Sequence, residues 1–305
     1  MHQTYPSLNP FSHWFDLAAM ASDIGTSFFA PPAAATSKQA FSPEGSAEHR
    51  LYVPDSAPRR GAPMVVMLHG AGQDPEDFAT GTGMNAAADR HGFVVLYPAQ
   101  SARHNPQRCW HWFDAAHQTR TGGDPARITA LALQVARDHH IDETRIFVAG
   151  LSAGGAMAAL LGDLYPEVYA GVGVHSGLAA RCAIDLSSGL AAMRGAPGVE
   201  TAPSGMPTIV FHGDKDDVVR PINAARVIRA AIGDCVGEAR EHAGSDGRRF
   251  TRRQYFRPGS ARSCGEHWTL HGAAHAWSGG NAAGSYADPL GPSASEEMLR
   301  FFSEQ

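Results

Sequence analysis

The residues Ile146-Phe147-Val148-Ala149-Gly150-Leu151-Ser152-Ala153-Gly154-Gly155-Ala156 join an apolar run, a G-x-S-x-G core and a stretch of small side chains. A serine hydroxyl is a weak nucleophile at neutral pH until a neighbouring base takes its proton. A strand that enters a tight turn and leaves as a helix supplies the geometry for this. The Ser stands out on the turn, small neighbours relieve crowding, and the helix N-terminus favours developing negative charge. Ser152 is thus the candidate nucleophile, and the chemistry it points to is acyl transfer.

Such a serine needs a base and an acid, following it in the chain as Ser, Asp or Glu, His. Ile209-Val210-Phe211-His212-Gly213-Asp214-Lys215-Asp216-Asp217-Val218-Val219 reads as a strand opening into a loop of acids, and spacing does not choose among Asp214, Asp216 and Asp217. Leu270-His271-Gly272-Ala273-Ala274-His275-Ala276-Trp277 offers two histidines. His275 lies beyond the Gly, out in the loop, and is the expected base; His271 belongs to the strand end and reads as structural. Two backbone amides must hold the tetrahedral oxyanion. The Ala153 amide, next to the nucleophile, is one. Met67-Leu68-His69-Gly70-Ala71-Gly72-Gln73, a Gly-rich loop after an early strand, offers the Ala71 amide as the other.

The elements that must position these groups are legible as an alternation. Expected strands are 50–53, 64–68, 93–97, 146–149, 171–175, 208–211 and 267–271, mostly continuous apolar runs of the kind buried on both faces. Expected helices are 83–91, 125–140, 153–165, 222–232 and 295–302, with Asp124 before Pro125 as an N-cap. The pattern predicts an α/β fold, a mostly parallel sheet with helices on both faces.

Composition narrows the rest. The chain has 305 residues, 43% of them apolar, 25 basic and 30 acidic, for a net charge of −5. This rules out overall disorder and leaves no basic footprint for nucleic acid. No apolar run nears the ~18 residues of a transmembrane helix. The first Lys or Arg is Lys38, so no positively charged start marks a secretory signal. The expectation is a cytoplasmic or granule-associated protein, or a secreted or periplasmic one if the chain is a processed form. Four cysteines are too few for a disulfide scaffold, and 16 His form no HExxH or Cys/His ligand spacing. No metal or other cofactor is expected.

Length admits one large domain plus an extension. Residues 1–48 are poor in charge, carry Trp14, Leu17, Ala21, Ile24 and Phe28 at helical spacing, and contain the linker-like Ala30-Pro31-Pro32-Ala33-Ala34-Ala35. They are expected to form an N-terminal extension with a short amphipathic helix. Residues 49–305 are expected to form the catalytic domain.

Five motifs in order, Leu68 to Gln73, Cys109-Trp110-His111-Trp112-Phe113, Gly150 to Met157, His212 to Asp216 and His275 to Gly280, resemble the polyhydroxybutyrate depolymerase and esterase family of α/β hydrolases. The resemblance covers about residues 48–304. It implies the α/β-hydrolase fold and a Ser152, Asp216, His275 triad, the acid standing four residues after the His of His-Gly. It also implies a Cys235–Cys264 bridge, with Cys109–Cys182 as a second. Two departures stand out: Ala71 where the family often has Cys, and His111 where Asn is more usual. Trp110, Trp112 and Trp277 are expected to wall the acyl site. The implied function is a serine carboxylester hydrolase cleaving polyhydroxybutyrate or its 3-hydroxybutyrate oligomers. Feruloyl or acetyl-xylan esterase is the alternative, and a non-catalytic binding protein on the same fold the more distant one. The implied domain leaves no room in this chain for an appended polymer-binding module, so residues 1–45 are the expected contact with a polymer granule.

Overall fold

The computed structural model describes residues 48–199, 202–233, 235–243 and 248–305. The expected N-terminal extension lies outside them, save its last residue. From the described start the chain alternates β1 (His49–Tyr52), β2 (Ala62–Leu68), α1 (Pro75–Thr82), α2 (Met84–His91), β3 (Val94–Pro98), α3 (Gly123–Asp138), β4 (Ile141–Leu151), α4 (Ala153–Leu164), β5 (Gly171–His175), α5 (Leu186–Met193), β6 (Thr208–Gly213) and α6 (Ile222–Ile232). It continues through β7 (Val236–Ala243), β8 (Arg249–Phe256), β9 (Ser263–Leu270), the short β10 (Trp277–Ser278) and β11 (Ala287–Asp288), and α7 (Ala294–Ser303).

Nine strands form one sheet in the order β1-β3-β2-β4-β5-β6-β9-β8-β7. From β3 through β9 every neighbour is parallel; β1 at one edge and β8 and β7 at the other run antiparallel. All residues of β2, β3, β5 and β6 are buried, as double coverage requires. Alternate positions such as Val65, Met67, Val95, Tyr97, Phe147, Ile209 and Phe211 share one core with Phe78 of α1, Met84 of α2 and Met298, Leu299 and Phe302 of α7. The opposite face meets α4 and α6, where Val172 packs on Gly162 and Ile232 on Gly265.

Two local readings change. Helix α3 starts at Gly123 with Gly122 at its N-cap, because the Asp124 carboxylate turns inward and accepts hydrogen bonds from His111, Gln100 and Arg127. The outer strands β7 and β8 and the helices α1 and α5 are additions to the expected set. Strand β8 is held by a fully buried carboxylate on β9: Glu266 accepts two hydrogen bonds from Arg252, one from Gln254, one from the Trp268 indole and one from Arg300 of α7.

Candidate active site

The parallel strands end on a common side, where open α/β sheets place their ligands. Ser152 follows β4, Asp216 follows β6 and His275 follows β9. Ser152 sits at φ 56°, ψ −117°, a region that side chains avoid unless the surroundings impose it. The turn is imposed from both sides. A Cβ on Gly154 would overlap the Leu68 carbonyl oxygen, so only glycine lets α4 begin against the end of β2. Behind it the Ser152 amide donates to the His175 carbonyl at 2.9 Å. The serine stands at the N-cap position of α4 with no side-chain cap bond, so the first amides of the helix, which have no partner within it, are left open.

Asp216 Oδ2 lies 2.7 Å from His275 Nδ1. Its other oxygen accepts the amides of Val218 and Val219 at 3.0 and 2.8 Å, and His212 Nε2, which donates to the Val219 carbonyl, approaches Oδ2 at 3.3 Å. Burial works against the Asp216 charge, but the hydrogen bonds from His212 and His275 outweigh it and hold the carboxyl well below the usual carboxylate range. An ionised Asp216 fixes the proton of neutral His275 on Nδ1 and leaves Nε2 as the basic nitrogen. The neighbouring acids are engaged elsewhere. Asp214 pairs with His271 Nδ1 at 3.0 Å and caps the Gly272 amide at 2.7 Å, while the exposed Asp217 meets Arg220.

The histidine loop is pinned from below. Gly213 lies so close to the Ala273 carbonyl that a Cβ there would overlap it. The Ser278 amide donates to His175 Nε2 at 3.0 Å, and Trp277 stacks on the same imidazole with centroids 5.1 Å apart. His175 therefore ties the Ser152 turn to the His275 loop, its carbonyl holding Ser152 and its ring holding the segment after His275. Burial drives its pKa well down, which keeps Nε2 an acceptor. Nothing in the pattern of the sequence singled His175 out, since it reads as the last residue of an apolar strand.

On the other side of Ser152, the 69–73 loop is shaped by buried polar groups. Trp110 Nε1 donates to the His69 carbonyl at 2.9 Å. The His69 ring donates from Nδ1 to the Gly70 carbonyl and accepts the Gln100 amide at Nε2, and burial pushes its pKa down to about 4. Gln73 Oε1 accepts the Gly70 amide at 2.9 Å. The Ala71 amide donates to no described protein group.

Three expected wall residues lie in the interior instead. Trp110, Trp112 and Trp277 are 0%, 4% and 1% exposed, because Trp110 supports the 69–73 loop, Trp112 packs edge-on against Phe113, and Trp277 is fixed by Phe78, His175 and a hydrogen bond to Ser295. Cys235 Sγ and Cys264 Sγ lie 3.7 Å apart, unbonded. Cys109 Sγ donates to the Trp110 carbonyl, and burial pushes its thiol up to about 12. Among the described residues one trio of metal-ligand types gathers, His111, His117 and Asp124. Its donors are spent within the protein. Asp124 takes the four hydrogen-bond donations of Gln100, Arg127 and the His111 ring and amide, and His117 Nδ1 accepts the Asp124 amide.

Residues 47–233 match the family described as Esterase PHB depolymerase. Poly(3-hydroxyalkanoate) depolymerase C of Paucimonas lemoignei is 31% identical over 195 residues, covering 59% of this chain and 46% of that protein. Feruloyl esterase B of Neurospora crassa is 34% identical over 132 residues, covering 43% of this chain and 44% of its own. The matched region thus spans about half the length of these curated relatives. Among solved structures, an acetyl xylan esterase from Aspergillus awamori aligns with a TM-score of 0.63 at 17% identity, covering 84% of this chain and 94% of that one; the likeness is of fold. Among the described residues no helix is long and apolar enough to cross a membrane.

Proposed function

Starting from the esterase PHB depolymerase family, to which this chain belongs, we propose that it is a serine carboxylester hydrolase whose substrate is polyhydroxybutyrate or its 3-hydroxybutyrate oligomers. The observation that carries the chemistry is the 2.7 Å contact of Asp216 with His275 Nδ1, beside a strained Ser152 that stands at a helix N-terminus. His275 Nε2 takes the Ser152 proton as Oγ attacks the ester carbonyl. The oxyanion develops toward the Ala71 and Ala153 amides. Collapse expels the alcohol, which takes its proton from His275, and water then cleaves the acyl-enzyme with His275 again as base.

Replacing Ser152 with Ala is expected to abolish both hydrolysis of a short p-nitrophenyl acyl ester and labelling by a fluorophosphonate. Full activity in a clean preparation of that variant would sink the mechanism. Similarity to two depolymerases at 31% and 34% identity supports the polyester substrate. Similarity to feruloyl esterase B at 34% favours a second reading, a plant-polysaccharide esterase. Release of 3-hydroxybutyrate from amorphous polymer, measured against release of ferulate from arabinoxylan, separates them.

A further inference from the structure

The loop beyond the base carries a residue that neither motif nor composition singled out. Tyr286 lies at φ 50°, where a bulky side chain stays only if its surroundings hold it. Its carbonyl accepts the Trp277 amide at 2.7 Å. The preceding residue, Ser285, donates its amide to Asp77 Oδ1 at 2.8 Å and its hydroxyl to Oδ2. Gln73 Nε2 donates to the Ser285 carbonyl and hydroxyl at 3.1 and 3.0 Å. The same Gln73 holds the Gly70 amide, so one side chain shapes the proposed oxyanion loop and fixes the backbone that presents Tyr286. The tyrosine ring meets the His275 ring edge to face, with centroids 6.4 Å apart and planes at 79°. It is half-buried, and its hydroxyl makes no hydrogen bond to a described residue.

We infer that Tyr286 is the residue that reads the alcohol portion of the ester. In the proposed mechanism, on which this rests, the departing alkoxide oxygen takes its proton from His275 as the acyl C–O bond breaks. A group flanking His275 therefore borders the alcohol, while the acyl chain stays on Ser152. Tyr286 offers an apolar ring beside an unclaimed hydroxyl donor. That combination suits an alcohol half with an apolar body and a carbonyl acceptor of its own, as in an ester between two hydroxyacyl units.

The alcohol departs during acylation, so its recognition must leave acyl-enzyme hydrolysis untouched. The test compares Tyr286→Phe and Tyr286→Ala with the unaltered protein on 3-hydroxybutyryl esters of alcohols with and without a carbonyl, and on p-nitrophenyl esters of varied acyl length. Tyr286→Phe is expected to lower kcat/KM about tenfold for the carbonyl-bearing alcohol alone, the loss of one hydrogen bond. Deacylation, read as steady-state turnover after a p-nitrophenol burst, should stay within about twofold. A loss spread equally over all alcohols and over deacylation would make Tyr286 a prop for His275 and overturn the inference. Absence of fluorophosphonate labelling at Ser152 in the unaltered protein would overturn the serine mechanism beneath it instead. Tyr286→Phe keeps the ring and its packing, so the comparison survives if the alanine variant fails to fold.

Discussion

Asp216 shows how little of a site is written in spacing. Three acids follow β6 at comparable distances, and the residues alone leave the choice open; resemblance to the family selects Asp216. The structure gives each histidine of the last loop its own acid, His275 with Asp216 and His271 with Asp214, a pairing that depends on how 271–277 folds back over Gly213. Asp216→Asn keeps the shape but loses the charge that sets the imidazole tautomer, and kcat is expected to fall by about 10⁴-fold. Stopped-flow acylation of the pure variant measures it. Because the Asp216 carboxyl is held far below the usual range, it stays ionised wherever the protein is folded. The acid limb of kcat/KM is therefore expected to carry no ionisation from Asp216, and an inflection above pH ~4 that Asp216→Asn removes would contradict the assignment. Gln73 was equally silent in the sequence, since a lone Gln in a Gly-rich loop has no pattern. Gln73→Leu frees the Gly70 amide and is expected to cost on the order of 10-fold to 100-fold in kcat, short of the ~10²–10³ for removing an oxyanion donor outright.

At the scale of elements, strands buried on both faces were readable and outer ones were not. Gly171–His175 and Ile222–Ile232 were expected at the bounds observed, because a continuous apolar run and a one-faced helix each carry a simple period. Strand β8, RFTRRQYF, looks like a polar loop until its partner is known. Arg252 and Gln254 turn to Glu266, and Arg252 stacks on Trp268 at 5.0 Å. Its backbone partners lie on β7 and β9, and the carboxylate that claims its polar side chains lies on β9. Glu266→Ala takes the shared buried carboxylate from two partly exposed guanidinium groups, of which Arg300 keeps Glu297 and Glu304, and is expected to destabilise the protein by about 1–3 kcal/mol in a urea titration, with little change in kcat for the folded fraction. Asp124 is not the N-cap that its spacing predicts, for the same reason: its carboxylate is claimed by Gln100, His111 and Arg127, which local spacing cannot see.

For the molecule as a whole, the buried histidines set a limit at low pH. His69 takes up a proton at about pH 6.5 in an unfolded chain but only near 4 when folded. The unfolded state therefore binds more protons between those values, and stability falls as pH drops through them, by roughly 2–3 kcal/mol for this residue at pH 4. His175, shifted in the same direction by burial, adds to the loss, and urea midpoints measured from pH 7 to 4 should decline steadily. Oxidation is expected to close one bridge, Cys235–Cys264, and an intact-mass measurement should find two thiols left to alkylate. A longer consequence follows from the sheet order. Ser152 and Asp216 follow β4 and β6, but β9, which lies between β6 and β8, is the last of the parallel strands along the chain and so the last to be synthesised. Until it docks, β6 is an open edge of the kind that pairs with other chains, and the protein is inert because His275 follows that same strand. Completion of the sheet, protection from aggregation and onset of hydrolysis are then a single event in time. During refolding or synthesis, the first appearance of ester cleavage serves as a clock for the closing of the sheet.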